Sequence, residues 1–433
     1  MQRGEEPVDT EMRDKLYEEI QQIEVIDTHE HVINREMLGN IGFNLFSALE
    51  FDYLKDDLLA VGMDENLLVD KAGDPDSLID ELIPLLRLTQ NTSYYRAFFQ
   101  ALRDLHGMSG DCLDPANLKA ASDSIHAAYE QDDWYSRVIR DRCKIKYMLR
   151  DMDYMPTEDD FIKPVIRMDN YFILRHKELL QEWIDKERIL SMRIADAEYE
   201  ARVRSLDDYL DIIENDFLKA IDFGAVGIKI AMAYRRTLQF DKVSIDDANR
   251  AFKLPNEKTT WADMKAFQDF IMHRIMENAA KYDLPVQIHT GLLAAGKNVL
   301  ANTNPLHLTN IFLEFPHVKF DIFHGGFPFM GEIGAQALMF PNVYLDTCWL
   351  PLISYESFKN ALNEWLSHVP AGKILWGGDC SCAEGAYGAL YMVQHGLCDV
   401  LARKIQEGTF DEEYALEVAR AILHDNASRL FNL

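Results

Sequence analysis

No stretch of this 433-residue chain approaches the roughly 20 consecutive apolar residues that a membrane-spanning helix requires. The first 20 residues, MQRGEEPVDTEMRDKLYEEI, are rich in acids and lack the apolar core of a secretory signal, so a cytoplasmic location is expected. Cysteine is scarce: Cys112, Cys143, Cys348, Cys380, Cys382 and Cys398 include no CxxC pair, which sets aside a disulfide framework and a structural zinc knuckle. Positive charge is also in short supply. A net charge of −28 repels a phosphate backbone or an anionic membrane surface, so neither nucleic acid nor membrane is an expected partner. Internal repeats, low-complexity tracts and Gly/Ser linkers are missing. So are the GxGxxG and GxxxxGK[ST] turns of nucleotide-binding sheets. What remains is 48% apolar, 11% aromatic and 27% charged, the composition of an ordinary packed protein.

Short apolar or β-branched runs alternate with longer amphipathic stretches. Eight runs read as strands: Glu24 to Asp27, Ile145 to Leu149, Ile189 to Ile194, Val226 to Ala231, Pro285 to His289, Val318 to His324, Val343 to Thr347 and Ile374 to Trp376. Between them lie helical patterns such as Trp261 to Lys281, where Met264, Phe267, Phe270, Ile271, Ile275 and Ala279 recur at i, i+3, i+4 spacing. Strands separated by helices pair in parallel, and eight such units close into a (β/α)8 TIM barrel, with an open doubly wound sheet as the alternative. The spacing breaks once. Residues 34–142 carry the helical stripes Asp80 to Leu88, Tyr94 to Leu105 and Ala116 to Tyr129, and are expected to form a helical insertion packed over one mouth of a single barrel spanning 1–433.

The first strand ends Asp27-Thr28-His29-Glu30-His31. Period-two alternation puts Asp27, His29 and His31 on one face and Thr28 and Glu30 on the other. An isolated HxH is commonplace, but three further matches follow. Gln287-Ile288-His289 and Ile322-Phe323-His324 end their strands in His, and Trp376-Gly377-Gly378-Asp379 ends the last in Asp. Barrel active sites sit at the carboxyl ends of the strands, so four imidazoles and a carboxylate are expected at one rim. Such ligands suit Zn²⁺, with Mn²⁺ or iron as alternatives.

This ordered set resembles the amidohydrolase superfamily, in the amidohydrolase-related branch that also holds decarboxylases and uronate isomerase. The tail Asn426-Ala427-Ser428-Arg429-Leu430-Phe431 is similar to that branch's closing NAxRLF segment. The resemblance implies a metal bound by His29, His31, His289 and Asp379. His324 then either joins a second metal or polarises the attacked group. It also implies two states for Lys229 in the fourth strand: a carbamate bridging two ions, or an ordinary ammonium. One ion is expected, as in many members of this branch. Placement of the insertion is similar to that in uronate isomerase, while Trp376-Gly377-Gly378-Asp379-Cys380 departs from that enzyme's TDSR-like ending.

Arg150, Arg193 and Arg235 fall near strand ends and are candidates to bind a substrate carboxylate. Arg235 shares the parity of Lys229 if the fourth strand stays extended. Cys380 and Cys382 read as oxidation-sensitive loop thiols. With metal-activated water, Asp379 as proton carrier and His324 as oxyanion donor, the expectation is a hydrolase acting on a C–N or C–O bond of a small polar, carboxylate-bearing substrate. A uronate-type isomerase, a metal-dependent decarboxylase and a non-catalytic binding or assembly barrel are the alternatives. Homo-oligomerisation is left open.

Overall fold

The computed structural model describes residues 10–32, 42–70, 75–109, 113–152, 160–172, 203–294 and 299–433. Its strands are β1 (Val25–Glu30), β2 (Ile145–Met152), β3 (Ile162–Arg167), β4 (Gly227–Ile230), β5 (Val286–Ile288), β6 (Phe320–Ile322), β7 (Val343–Asp346) and β8 (Ile374–Leu375). They form one sheet in the order β1-β2-β3-β4-β5-β6-β7-β8, each strand beside its sequence neighbour, which is the (β/α)8 barrel topology. Among the described residues no helix is long and apolar enough to cross a membrane.

The third strand corrects the sequence expectation. It lies at Ile162–Arg167, and the expected run Ile189 to Ile194 falls outside the described residues. Pro164 interrupts the 162–167 pattern and argues against a central strand. Here the ring costs no ladder bond that the strand needs, because Pro164 contributes its carbonyl, accepting from the Val226 amide at 3.0 Å.

Two compact units divide the chain: Met1–Met148 with Thr347–Ala427, and Leu149–Asp346 with Ser428–Leu433. In the first, the segment after β1 is helical as its stripes require, with helices Pro75–Thr89, Ser93–His106 and Pro115–Tyr129. Thr92 caps Ser93–His106 by accepting from the Tyr95 amide, and left-handed Gly107 ends it. This helix packs tightly on Ala383–Gln406: a Cβ on Gly388 would stand 2.8 Å from the Ala97 carbonyl oxygen. The segment's polar anchor is Glu384, fully buried in the first turn of the helix Ala383–Gln406 that follows β8. It accepts from His106 Nε2 at 3.0 Å, Tyr129 Oη at 2.7 Å and Trp134 Nε1 at 3.3 Å. The helices between β1 and β2 are therefore tied to the chain five residues beyond Asp379.

In the second unit β3 to β7 run parallel in continuous register, with Arg167 beside Lys229, Lys229 beside Gln287 and Gln287 beside Asp321. Helix Trp261–Tyr282 matches its expected span. A capping box between Thr260 and Asp263 opens it, and Phe267, Phe270, Ile271, Ile275 and Ala279 are its buried stripe.

Candidate metal centre

Every residue of β1 is buried, and its carboxyl end is laced to the chain leaving β8. Thr28 N–H donates to the Trp376 carbonyl at 3.2 Å, Asp379 N–H to the His29 carbonyl at 2.8 Å, and His31 N–H to the Cys380 carbonyl at 2.8 Å. Two carboxylates extend this ladder. Asp27 Oδ1 accepts from His29 N–H at 3.1 Å and Gly378 N–H at 3.0 Å, and Glu30 Oε2 accepts from Cys380 N–H. The approach demands glycine on the β8 side. A Cβ on Gly377 would lie 2.7 Å from Thr28 Oγ1, and one on Gly378 would overlap Glu30 Oε1.

Asp27 accordingly departs from strict alternation. It turns toward β8 and pairs with Glu30 instead of joining His29 and His31. Burial, followed by the Asp27 charge, raises the Glu30 pKa well above the usual carboxylate range, so this pair is best described as sharing a proton.

His29, His31 and Asp379 do come together. His29 Nε2 and His31 Nε2 are 3.3 Å apart, and Asp379 Oδ1 lies 3.0 Å from His31 Nε2 and 3.5 Å from His29 Nε2. A tetrahedral ion with nitrogen and oxygen ligands at about 2.0–2.1 Å would separate neighbouring donor atoms by about 3.3 Å. The triangle therefore has the dimensions of one face of such a site, and its donor set fits a divalent ion. Asp379 reaches it from a left-handed backbone, φ 61°, a conformation that non-glycine residues adopt at a cost of about 1–2 kcal/mol.

In the second unit, His289 and His324 pair, with His324 Nε2 3.0 Å from His289 Nδ1. The other nitrogen, His289 Nε2, donates to the Leu292 carbonyl at 2.8 Å, because a carbonyl can only accept. Neutral His289 thus carries its lone pair on Nδ1. Burial, then the His324 and Lys229 charges, hold its pKa well below the usual imidazole range, so neutral is its resting state. His324 is fully buried and left-handed, φ 63°, followed by two glycines of positive φ.

Lys229 is buried with its Nζ 3.3 Å from the centroid of the Phe323 ring. Its charge also acts on Asp321, whose pKa is nevertheless raised, by burial first and then by Asp346. Gln287 Nε2 donates to Asp321 Oδ2 at 3.1 Å. The arginine expectations fare differently. Arg150 is buried, and Arg193 lies outside the described residues. Arg235 does not keep the parity of Lys229, because β4 ends at Ile230 and a 3-10 turn follows at Met232–Tyr234; Arg235 is exposed. Its neighbour Arg236 is buried against Asp269 at 2.6 Å and serves the fold.

Sequence reasoning missed Arg167 at the end of β3. Its guanidinium pairs with Asp151 and lies 3.7 Å from Asp169, while the Asp169 carboxylate accepts the Ala231 amide. Burial opposes its charge, but the two aspartates outweigh it and raise its pKa further. Also missed was Trp349, just after β7, left-handed at φ 60° and tilted against Tyr53 with ring centroids 4.5 Å apart. Tyr94 stacks on Tyr53, Tyr95 on Phe99, and Arg96 over Tyr355. Cys380 and Cys382 lie in the loop before Ala383 as expected, but both are buried, and burial pushes both thiols up, which disfavours the reactive thiolate.

Residues 221–433 match the model of the family described as Amidohydrolase. The curated relative Protein fluG of Emericella nidulans is 29% identical over 226 residues, 49% of this chain. That match spans only 26% of fluG, about a quarter of its length. Among solved structures, the uronate isomerase of Thermotoga maritima shares the fold over 98% of both chains (TM-score 0.78, 16% identity). The glucuronate isomerase of Caulobacter crescentus does so over 99% of this chain and 95% of its own (TM-score 0.78, 16% identity). A protein of Lactobacillus casei described as a candidate metal-dependent hydrolase aligns over 96% of this chain and 97% of its own (TM-score 0.66, 20% identity). The family match thus covers residues 221–433, and the fold of the chain is the one that the uronate isomerases share.

Proposed function

We propose that this protein is a metal-dependent hydrolase that cleaves a C–N or C–O bond in a small polar substrate. The observation that carries it is the triangle of His29 Nε2, His31 Nε2 and Asp379 Oδ1, with edges of 3.0, 3.3 and 3.5 Å. The second unit offers His289, whose bond to Leu292 leaves the Nδ1 lone pair free of a proton and facing His324 Nε2. One ion, zinc by preference, suits imidazole and carboxylate donors. When bound, a divalent ion lowers the pKa of water and polarises a carbonyl.

The chain's own groups manage the protons. Asp379 takes a proton from the attacking water at its carboxylate and returns it to the leaving nitrogen or oxygen. His324, whose Nε2 proton faces His289 Nδ1, donates to the oxygen on which negative charge develops once that pairing is released. Lys229 stays an ammonium, held against the Phe323 ring and facing the buried Asp321–Asp346 carboxyl pair.

Metal-loaded protein screened against N-acyl amino acids, lactones, aromatic acids and uronates tests the assignment. Release of an acid with an amine or alcohol is expected. Interconversion of an aldo and a keto acid would replace the hydrolase with an isomerase, and CO₂ release would replace it with a decarboxylase. Purification without stoichiometric metal would point to a non-catalytic barrel.

A further inference from the structure

Asp379 meets the two imidazoles from a left-handed backbone, and the Cys380 amide that follows it bonds the Glu30 side chain instead of a β1 carbonyl. The nearby main-chain partners are already engaged: the His29 carbonyl accepts Asp379 N–H, and the Cys380 carbonyl accepts His31 N–H. Glu30 Oε2 supplies the acceptor that Cys380 N–H needs. Both Glu30 and Cys380 are buried, so water does not substitute for the carboxylate. Gly378 leaves the room for it, since any side chain there would overlap Glu30 Oε1.

We propose that Glu30 is a positioning residue that holds the Cys380 amide, and through it the left-handed turn that aims the Asp379 carboxylate at His29 and His31. The inference rests on Asp379 being a metal ligand, as proposed above. It assigns a task to the residue between the two histidines, whose place on the opposite face of the strand otherwise suggests packing. It also accounts for Gly378 by steric necessity. Removing the carboxylate strands a buried amide, and the turn relaxes toward negative φ, carrying Asp379 away from the imidazoles. Glutamine at position 30 retains the function, because its amide oxygen accepts from Cys380 while its NH₂ donates to Asp27.

The test uses the full chain, stripped of metal and titrated with Co²⁺, whose d–d absorption reports ligand number and geometry independently of activity. Glu30→Gln should give the wild-type spectrum and affinity. Glu30→Ala should bind about ten- to a hundredfold more weakly, with an altered spectrum, the range for loss of a group supporting a metal ligand. Wild-type binding and spectrum in Glu30→Ala, or equal losses in both variants, would overturn the positioning role. Wild-type protein that takes up no Co²⁺ would instead remove the metal centre itself, and this proposal with it. Should Glu30→Ala not fold, metal-free wild-type protein labelled with ¹⁵N-cysteine provides the check. The Cys380 amide should resonate downfield and exchange slowly, as a buried hydrogen bond to the carboxyl group requires; rapid exchange would overturn the proposal.

Discussion

His31 Nε2 stands 3.0 Å from Asp379 Oδ1, and the two residues, 348 apart in sequence, meet because the His31 amide bonds the Cys380 carbonyl. Separate tasks for ligand and base follow. Asparagine at 379 keeps an oxygen that the ion can use but cannot accept a proton from water. Asp379→Asn is expected to retain most bound metal while losing turnover by roughly 10²- to 10⁴-fold. Elemental analysis beside a turnover assay separates the two effects, and a variant that keeps most of its activity would remove Asp379 as the base.

Lys229 provides a test of ion count. Its ammonium faces Phe323 and lies within the field of Asp321, so Lys229→Met leaves the buried Asp321 and Asp346 carboxyls without that cation. A loss of about 3 kcal/mol in urea-denaturation stability is expected, the scale for breaking a buried charge pair. Metal content should stay at about one ion per chain, with no carbamate signal in wild-type protein equilibrated with ¹³C-bicarbonate. Two ions per chain in that medium would overturn the ammonium assignment.

Strand ends were legible where chemistry and period agreed. The runs Pro285 to His289, Val318 to His324 and Ile374 to Trp376 fall within a residue or two of β5, β6 and β8, because fully buried strands leave short apolar blocks in the sequence. β3 was hidden by Pro164, whose lost donor is harmless only once its neighbours are known. Asp27 was placed on the histidine face by parity, and it turned because Gly377 and Gly378, just after β8 and distant in sequence, opened space for a carboxylate. Arg235 was misjudged for a related reason: parity arguments expire where a strand does, and β4 stops at Ile230. The left-handed backbone of Trp349 left no local signal, since nothing in its side chain asks for positive φ.

The misplaced arginine moves the carboxylate prediction. Arg167 sits at the end of β3 in register with Lys229, its side chain 31% exposed and its orientation set by Asp151 and Asp169. For an acidic substrate, Arg167→Met should weaken binding by about 1.5–3 kcal/mol, the range for a charged hydrogen bond, with neutral analogues much less affected. Arg235→Met should be nearly silent. Equal losses on acidic and neutral substrates would make Arg167 a structural residue, and a selective loss from Arg235→Met would restore the sequence-based choice.

The last prediction concerns acid stability, at a histidine remote in sequence from the metal donors. His395 lies between the rings of Tyr17 and Tyr391, each 4.2 Å away, and its Nδ1 accepts from Arg13 Nη2 at 3.0 Å. Burial, then the Arg13 and Arg96 charges, lower its pKa to about 4, despite the opposing effect of Asp399. The unfolded chain, with His395 near its ordinary value of about 6.5, binds the proton more readily. Stability from this group is therefore complete above about pH 6.5 and is lost progressively as pH falls toward 4. Because the ring is partly exposed, the contribution is roughly 1–2 kcal/mol and not the full value of the shift. His395→Gln can accept the same Arg13 bond but cannot titrate. Urea-denaturation midpoints of the variant should fall less steeply than wild type between pH 6.5 and 4.5, whatever its stability at pH 7.5. Parallel pH profiles would show that His395 is not the group responsible.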